Sequence, residues 1–445
     1  MKQVFTFLFS KGNLFIFALF TGYVCSSARQ MEQSVFAPVY MTYAELRNAI
    51  ALQPARDVSH VGKIYLFNNY LFVNEINKGV HIIDTTNPAA PVNKGFINIP
   101  GNVDIAIKNN TLYADSFVDL VALDITNLAT NLTANTAPPE VARLQDLFPY
   151  PYNFADNFMT GSGRYEAIDE TMGIVINWAY AYSEQIANNN NFDCAQQQSD
   201  RGVAVMANTT AGSSGTGGSL ARFIITPDLL YLYALNNTSI NIINISTDTN
   251  PVLSSVLYAG WNIETLFIYN NTTLFIGSQT GLYIYDITST ATPVQQSLFT
   301  HFRGCDPVVV ANNYAFVTIN NNFGPCGGNI NELQIINVTN LYTPALVSTL
   351  PMNDPHGLAF DATQNLLFIC DGTSGLKVYN ATFTTNNVTL AMADNYASMN
   401  PHDLILFNGI AYVVAADGIY LFNYTNFATT GTLGIPAFLP IIPSL

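Results

Sequence analysis

The apolar positions of this chain do not follow a helical period. They gather in short β-prone runs that end on Asp or Asn, with Thr or Ser two residues further on. The runs are GVHIIDTT (79–86), DLVALDIT (119–126), SINIINIS (239–246), GLYIYDIT (281–288), ELQIINVT (332–339), GLKVYNAT (375–382) and GIYLFNYT (418–425). Such runs suit strands buried on both faces. The closing Asp or Asn accepts a hydrogen bond from the backbone two residues ahead, and Pro88, Pro251, Pro293 and Pro344 fix φ in the turns that follow. These side chains therefore read as turn formers, not as chemical groups.

The aligned positions Asp84, Asp124, Asn244, Asp286, Asn337, Asn380 and Asn423 are separated by 40, 120, 42, 51, 43 and 43 residues. A period near ~42 with several short strands per unit is the signature of a β-propeller blade. One unit resolves as IETLFIY (263–269), TLFIGS (273–278), GLYIYDI (281–287) and PVQQSLFT (293–300), and the last unit repeats the order as DLILF, IAYVVA, GIYLFN and TGTLGI. The expected fold is all-β, a seven-bladed β-propeller of four-stranded antiparallel blades over 62–436. In that reading VARLQDLF (141–148) is the outer strand of the second blade, and ARFII, LLYLYA and SINIIN supply three strands of the third. An insertion then runs from about 149 to 219, and GIVINWAYAY (173–182) within it has strand character. An eighth, degenerate blade inside this insertion is the alternative. NNNFGPCGGN (320–329) enlarges one loop of the fifth unit. Residues 29–61 form a lead-in segment and 437–445 a C-terminal tail.

PVYMTYAELRNAI (38–50), GKIYLFNNYLFVNE (62–75), KGVHIIDTTNPAAPV (78–92), GFINIPGNVDIAI (95–107), CDPVVV (305–310) and PHGLAF (356–361) bring a further point. Together with the units above they resemble the LVIVD-repeat proteins, a family of exported bacterial propellers often classed as lipoproteins. The resemblance covers nearly everything after residue 36 except the insertion. It implies a secreted or lipid-anchored surface propeller with no established enzymatic activity.

Lys2 and Lys11, the apolar run 13–24 and the following CSSARQ have the order of a secretory signal, with cleavage after Ala28. The run is shorter than the ~20 residues of a membrane-spanning helix. Val24 before Cys25 is a poor lipobox residue, so a lipid anchor at Cys25 is the second choice. No later segment reads as transmembrane. Removing residues 1–28 takes two lysines and no acid, moving the formal charge from −15 to −17. Nucleic acid and anionic membrane surfaces are poor partners for such a chain, and cations, basic proteins and neutral glycans stay open. The expected product is an exported monomer, periplasmic, outer-membrane-associated or extracellular.

Cys194, Cys305, Cys326 and Cys370 remain after the signal, with no C-x-x-C pair. In an exported protein an even number argues for disulfides. A Cys305–Cys326 bridge is preferred, and Cys370 either meets Cys194 or stays a buried thiol.

The first strand of a propeller blade lines the central channel. On that basis Asp104, Arg222, Glu264, Asp306, His356, His402 and Asp403 gather at one channel mouth, with Glu75, Asp115, Asp371 and Asp417 in the flanking loops. This acidic set suits a divalent cation, or a basic or hydroxyl-rich ligand. His356 and His402 occupy equivalent positions in neighbouring units, which is compatible with a shared transition-metal site. The opposing reading is that inner strands of any propeller carry polar residues facing channel water. Trp178 and Trp261 fall outside the strand repeats and are candidates for glycan stacking. N-x-S/T triplets such as those at Asn131 and Asn271 are acceptors in a eukaryotic secretory pathway. No G-x-S-x-G, H-E-x-x-H or Walker-type glycine loop is present. The expected function is a non-enzymatic surface scaffold that binds a protein or glycan at the channel mouth. The alternative is a metal-assisted hydrolase or lyase using the acidic mouth with His356 and His402.

Overall fold

The computed structural model describes residues 35–159, 164–181, 216–217, 221–236, 238–260, 262–300, 307–320, 330–384 and 387–441. Among them lie six four-stranded antiparallel sheets, one six-stranded sheet and one three-stranded sheet. Seven of these follow one another along the chain, and we number them in that order. Their first strands are Val61–Phe67, Ile105–Lys108, Phe223–Ile225, Ile263–Tyr269, Val308–Ala311, Leu358–Asp361 and Pro401–Phe407. Each first strand lies against the first strand of the next sheet, and that of sheet seven lies against that of sheet one. Sheets arranged radially about a common axis in this way make a β-propeller.

Every octet of the sequence repeat is the third strand of its sheet, which explains its continuous apolar run: it is covered on both faces by neighbouring sheets. At six of the seven octets the closing Asp or Asn accepts from the backbone N–H two residues on, at 2.7 to 3.1 Å. The exception is Asn380, where the strand continues to Phe383 and the turn comes later. Turns between first and second strands use left-handed Asn, at Asn68, Asn109, Asn270, Asn271, Asn312, Asn313 and Asn408.

Side chains between sheets form the core. Ile64, Leu66, Leu71 and Val73 of sheet one pack on Ile405, Tyr412 and Leu421 of sheet seven. A parallel bridge between Val58 and Ile441 lies at the same junction. The outer strand of sheet seven is Ala437–Pro440, paired with Gly418–Leu421. The sequence pattern places this strand at TGTLGI and makes 437–445 a tail. Instead Phe427–Thr430 form a helical turn, and Gly431 and Gly434 take left-handed φ values of 67° and 70° that break an extended run.

The three-stranded sheet joins the two ends of the sequence reading's non-repeat material. Val35–Met41 is its central strand, paired with Arg164–Tyr165 and with Ile174–Ala181 of the insertion. A short helix, Tyr43–Arg47, follows, started by a Thr42/Glu45 capping box. This cap packs on the hairpin turn of sheet two: Leu46 and Ile174 cluster with Phe117 and Val118. Arg47 grips Asp119 through both carboxylate oxygens at 3.0 and 3.2 Å, and Arg143 adds a third contact at 3.0 Å. The cap therefore sits at the end of the ring where first strands begin, the channel mouth. A second piece of the insertion, Thr216–Gly217, pairs with Tyr65 and Leu66 on the axial edge of sheet one.

Candidate functional site

Seven residues immediately precede the apolar core of a first strand: Lys63, Asp104, Arg222, Thr265, Pro307, Gly357 and Asp403. In sheets one, four and seven the ladder register shifts at this point, between Val61 and Ile64, Ile263 and Thr265, and Pro401 and Asp403. A bulge inserts an unpaired residue and re-aims its side chain. Lys63, Glu264 and His402 fall within these shifts. Gly62 is needed beside Lys63, because a Cβ there would lie 2.2 Å from Asn74 Oδ1.

Lys63 is the group that the sequence reading missed. It is 5% exposed, and its Nζ donates to no described protein atom. Burial lowers its pKa to about 8 against the attraction of Asp104, Asp403 and Glu264, with Arg222 adding repulsion. Those groups belong to sheets two, seven, four and three, so the Lys63 ammonium lies where they converge, near the axis. From sheet seven through sheets one and two to sheet three the ring reads Asp403, Lys63, Asp104, Arg222, with charges alternating in sign. The available signal was alignment: Lys63 holds in sheet one the position that Asp104 and Asp403 hold in theirs.

Most carboxylates expected at the mouth are engaged internally. Asp104 Oδ2 accepts the backbone N–H groups of Arg222 and Phe223 across the sheet boundary, and Oδ1 that of Ile105. Burial raises its pKa, as it raises that of Asp115 to about 6. Asp115 Oδ1 takes the N–H groups of Val103 and Asp104, and Asp371 Oδ1 those of Asn353 and Asp354. Lys377 Nζ pairs with Asp371 Oδ2. Glu75 is buried, which opposes its ionisation, yet hydrogen bonds from His81, Lys78 and Ser59 and the charge of Arg56 hold it at about 2. Glu264 Oε1 accepts from Gln279, and Asp417 from the Tyr420 hydroxyl.

His356 and His402 do meet, with ring centroids 5.3 Å apart and planes at 76°. His356 Nε2 faces Asp354 Oδ2 at 3.2 Å. Among the described residues no three His, Cys, Asp or Glu side chains form a metal cluster. Asp306, Cys305, Cys326, Cys194 and Trp261 lie outside the described residues. Cys370 is a buried free thiol whose pKa burial raises further. Trp178 is not a surface stacking platform: it is 7% exposed, donates from Nε1 to the Ala155 carbonyl at 3.0 Å and packs edge-on against Tyr165. The exposed large side chains of the cap are instead Val39, Tyr152, Met159, Met172 and Tyr180, the last 61% exposed. Among the described residues no helix is long and apolar enough to cross a membrane.

The fold and the mouth define a β-propeller with a capped channel and an internally neutralised polar ring. No protein-family model matches the chain, and no curated protein matches it in sequence. Among solved structures, a protein from Lactobacillus plantarum aligns over 86% of this chain and 96% of its own, with a TM-score of 0.50 at 12% identity. A functionally unknown protein from Desulfotomaculum acetoxidans covers 85% of this chain and 100% of its own, with a TM-score of 0.49 at 13% identity. The periplasmic gluconolactonase of Pseudomonas aeruginosa covers 48% and 70%, with a TM-score of 0.37 at 12% identity. The first of these likenesses is one of fold alone.

Proposed function

We propose that this chain is an exported, seven-bladed propeller of the LVIVD-repeat kind that works as a non-enzymatic scaffold, binding a protein or glycan at the capped mouth. The cyclic order of first strands supports seven blades, with the three-stranded sheet standing outside that order as a cap. One observation carries the functional reading. Most of the described mouth carboxylates are committed to hydrogen bonds and ion pairs within the chain, whereas the cap above them exposes Tyr152, Met159, Met172 and Tyr180 to solvent. Aromatic and Met side chains supply contact area at low polar cost and are favoured at interfaces.

The test is binding of the full chain to a glycan array and to an extract of the cell envelope that bears it. Tyr152→Ser with Tyr180→Ser should lower retained partner at least tenfold while the melting temperature stays within ~2 °C, because exposed substitutions of this kind cost little stability. The paired control Phe438→Ser, on the outer strand of sheet seven, should bind normally. Equal loss in both, or none in either, would remove the cap from the binding surface.

A further inference from the structure

The Lys63 ammonium is buried and donates to no described atom, although three carboxylates lie around it. Those carboxylates are turned toward other donors. Asp104 takes backbone N–H groups from two strands, Asp403 Oδ1 accepts the Leu404 N–H at 2.8 Å, and Glu264 Oε1 accepts from Gln279 at 3.1 Å. A buried ammonium with no acceptor is among the costliest side chains a fold can hold. The strand itself does not require it, since the same position holds Thr265, Pro307 and Gly357 in other sheets.

The surroundings of Lys63 have an open side and an obstructed one. Lys63, Asp104 and Asp403 are buried, whereas Arg222 and Glu264, at the starts of the next two first strands, are partly exposed. Below the ring, Thr216–Gly217 pairs with Leu66 and Tyr65 on the axial edge of sheet one. Those partners follow Lys63 by two and three residues, which puts the segment about 7 to 10 Å further into the channel. The ring is therefore reached from the mouth and backed by a piece of the insertion.

We propose that this axial ring binds one small, uncharged, hydroxyl-rich molecule, the terminal sugar unit of a glycan. A divalent cation at the centre would meet Lys63 and Arg222, and an anion would meet Asp104, Asp403 and Glu264. A hydroxyl both accepts and donates, so a polyol can face the two signs of charge in turn. One of its oxygens gives Lys63 Nζ the acceptor that the chain does not supply, and its protons face the carboxylates, whose lone pairs outnumber the donors already bound. The proposal rests on the glycan side of the function proposed above and adds to it the place and class of the bound unit. Lys63 then trades stability for binding, as groups at functional sites do.

The test titrates the full chain with free glucose, galactose, mannose and N-acetylglucosamine, read by calorimetry and by the rise in melting temperature that binding brings. At least one should bind, and glucosamine and glucuronate, which add a positive and a negative charge, should bind at least tenfold more weakly. That comparison needs no variant. Lys63→Met should lower the affinity at least tenfold while melting no lower than the wild type, because it removes a buried donor that the chain leaves unsatisfied. Tyr152→Ser with Tyr180→Ser should keep the monosaccharide affinity, so that failure of the cap surface and failure of the axial site are read separately. No binding of any of the four neutral sugars overturns the proposal and leaves the ring to water. So does tighter binding of either charged sugar, unchanged affinity in Lys63→Met, or affinity lost only in the cap variant.

Discussion

Lys63 is an ammonium held where carboxylates surround it but none hydrogen-bonds its Nζ among the described residues. Its pKa falls to about 8 from an unfolded value near ~10.4. Between those values the unfolded chain binds a proton that the folded chain does not, so stability rises as pH climbs through this window. The rise should be about 2 kcal/mol between pH 8 and 10, and urea midpoints should show it in the wild type but not in Lys63→Met. A pH response shared by both proteins would place the titration elsewhere. The Asx-turn residues were legible from repetition, because one spacing and one residue pair recur at six turns with the same hydrogen bond. Lys63 was not, because its role depends on a bulge and on groups from four sheets converging across the axis, and neither leaves a local pattern.

At the scale of elements, the cap is attached by one concentrated contact. Asp119 is fully buried at the turn of sheet two, and although burial opposes its charge, Arg47, the Asp146 backbone N–H and Arg143 together hold its carboxyl below the usual range. Removing Asp119 takes away the acceptor that Arg47 and Arg143 share and orphans the Asp146 backbone N–H, while Arg143 keeps Glu140 and Arg47 keeps Asp146, so the cost is about 1 to 3 kcal/mol. Asp119→Ala should therefore loosen the cap before the ring. Limited proteolysis should cut within 42–48 or 150–174 at least tenfold faster, with sheet strands protected, and the wild type should show the same sensitivity only as pH falls below the usual carboxylate range and through the lowered pKa of Asp119, where the folded carboxylate takes its proton. Uniform cleavage across the chain would mean the clasp supports the whole ring. Strands with continuous apolar runs could be read directly, and Glu140–Leu144 and the strands of sheet three lie where the repeat put them. The cap could not, since its sheet pairs residues about 140 positions apart and its helix spans one turn. The fourth strand of sheet seven was misplaced for a related reason: outer strands alternate half-buried and exposed positions, a weak signal beside two left-handed glycines.

In the whole molecule, the ring joins its ends without sharing a sheet: sheet seven is built from C-terminal residues alone, and sheet one draws its paired strands from elsewhere in the chain. The junction depends on side-chain packing and on the Val58–Ile441 bridge. Truncation after Pro436 removes Leu439 and Ile441 from that junction. Two partly buried aliphatic side chains are worth about 2 kcal/mol, and the lost strand pairing adds to it. Urea unfolding should show a lower midpoint; an unchanged midpoint would mean that the last strand contributes nothing to closure. The axial position of Thr216–Gly217 bears on how such a ring is assembled. That pair lies on sheet one and precedes sheet three in the chain, so it is synthesised before five of the seven sheets. Synthesis from the N-terminus thus delivers the inner partner of sheet one before the ring is complete, whereas a circular permutant beginning at sheet three would deliver it last.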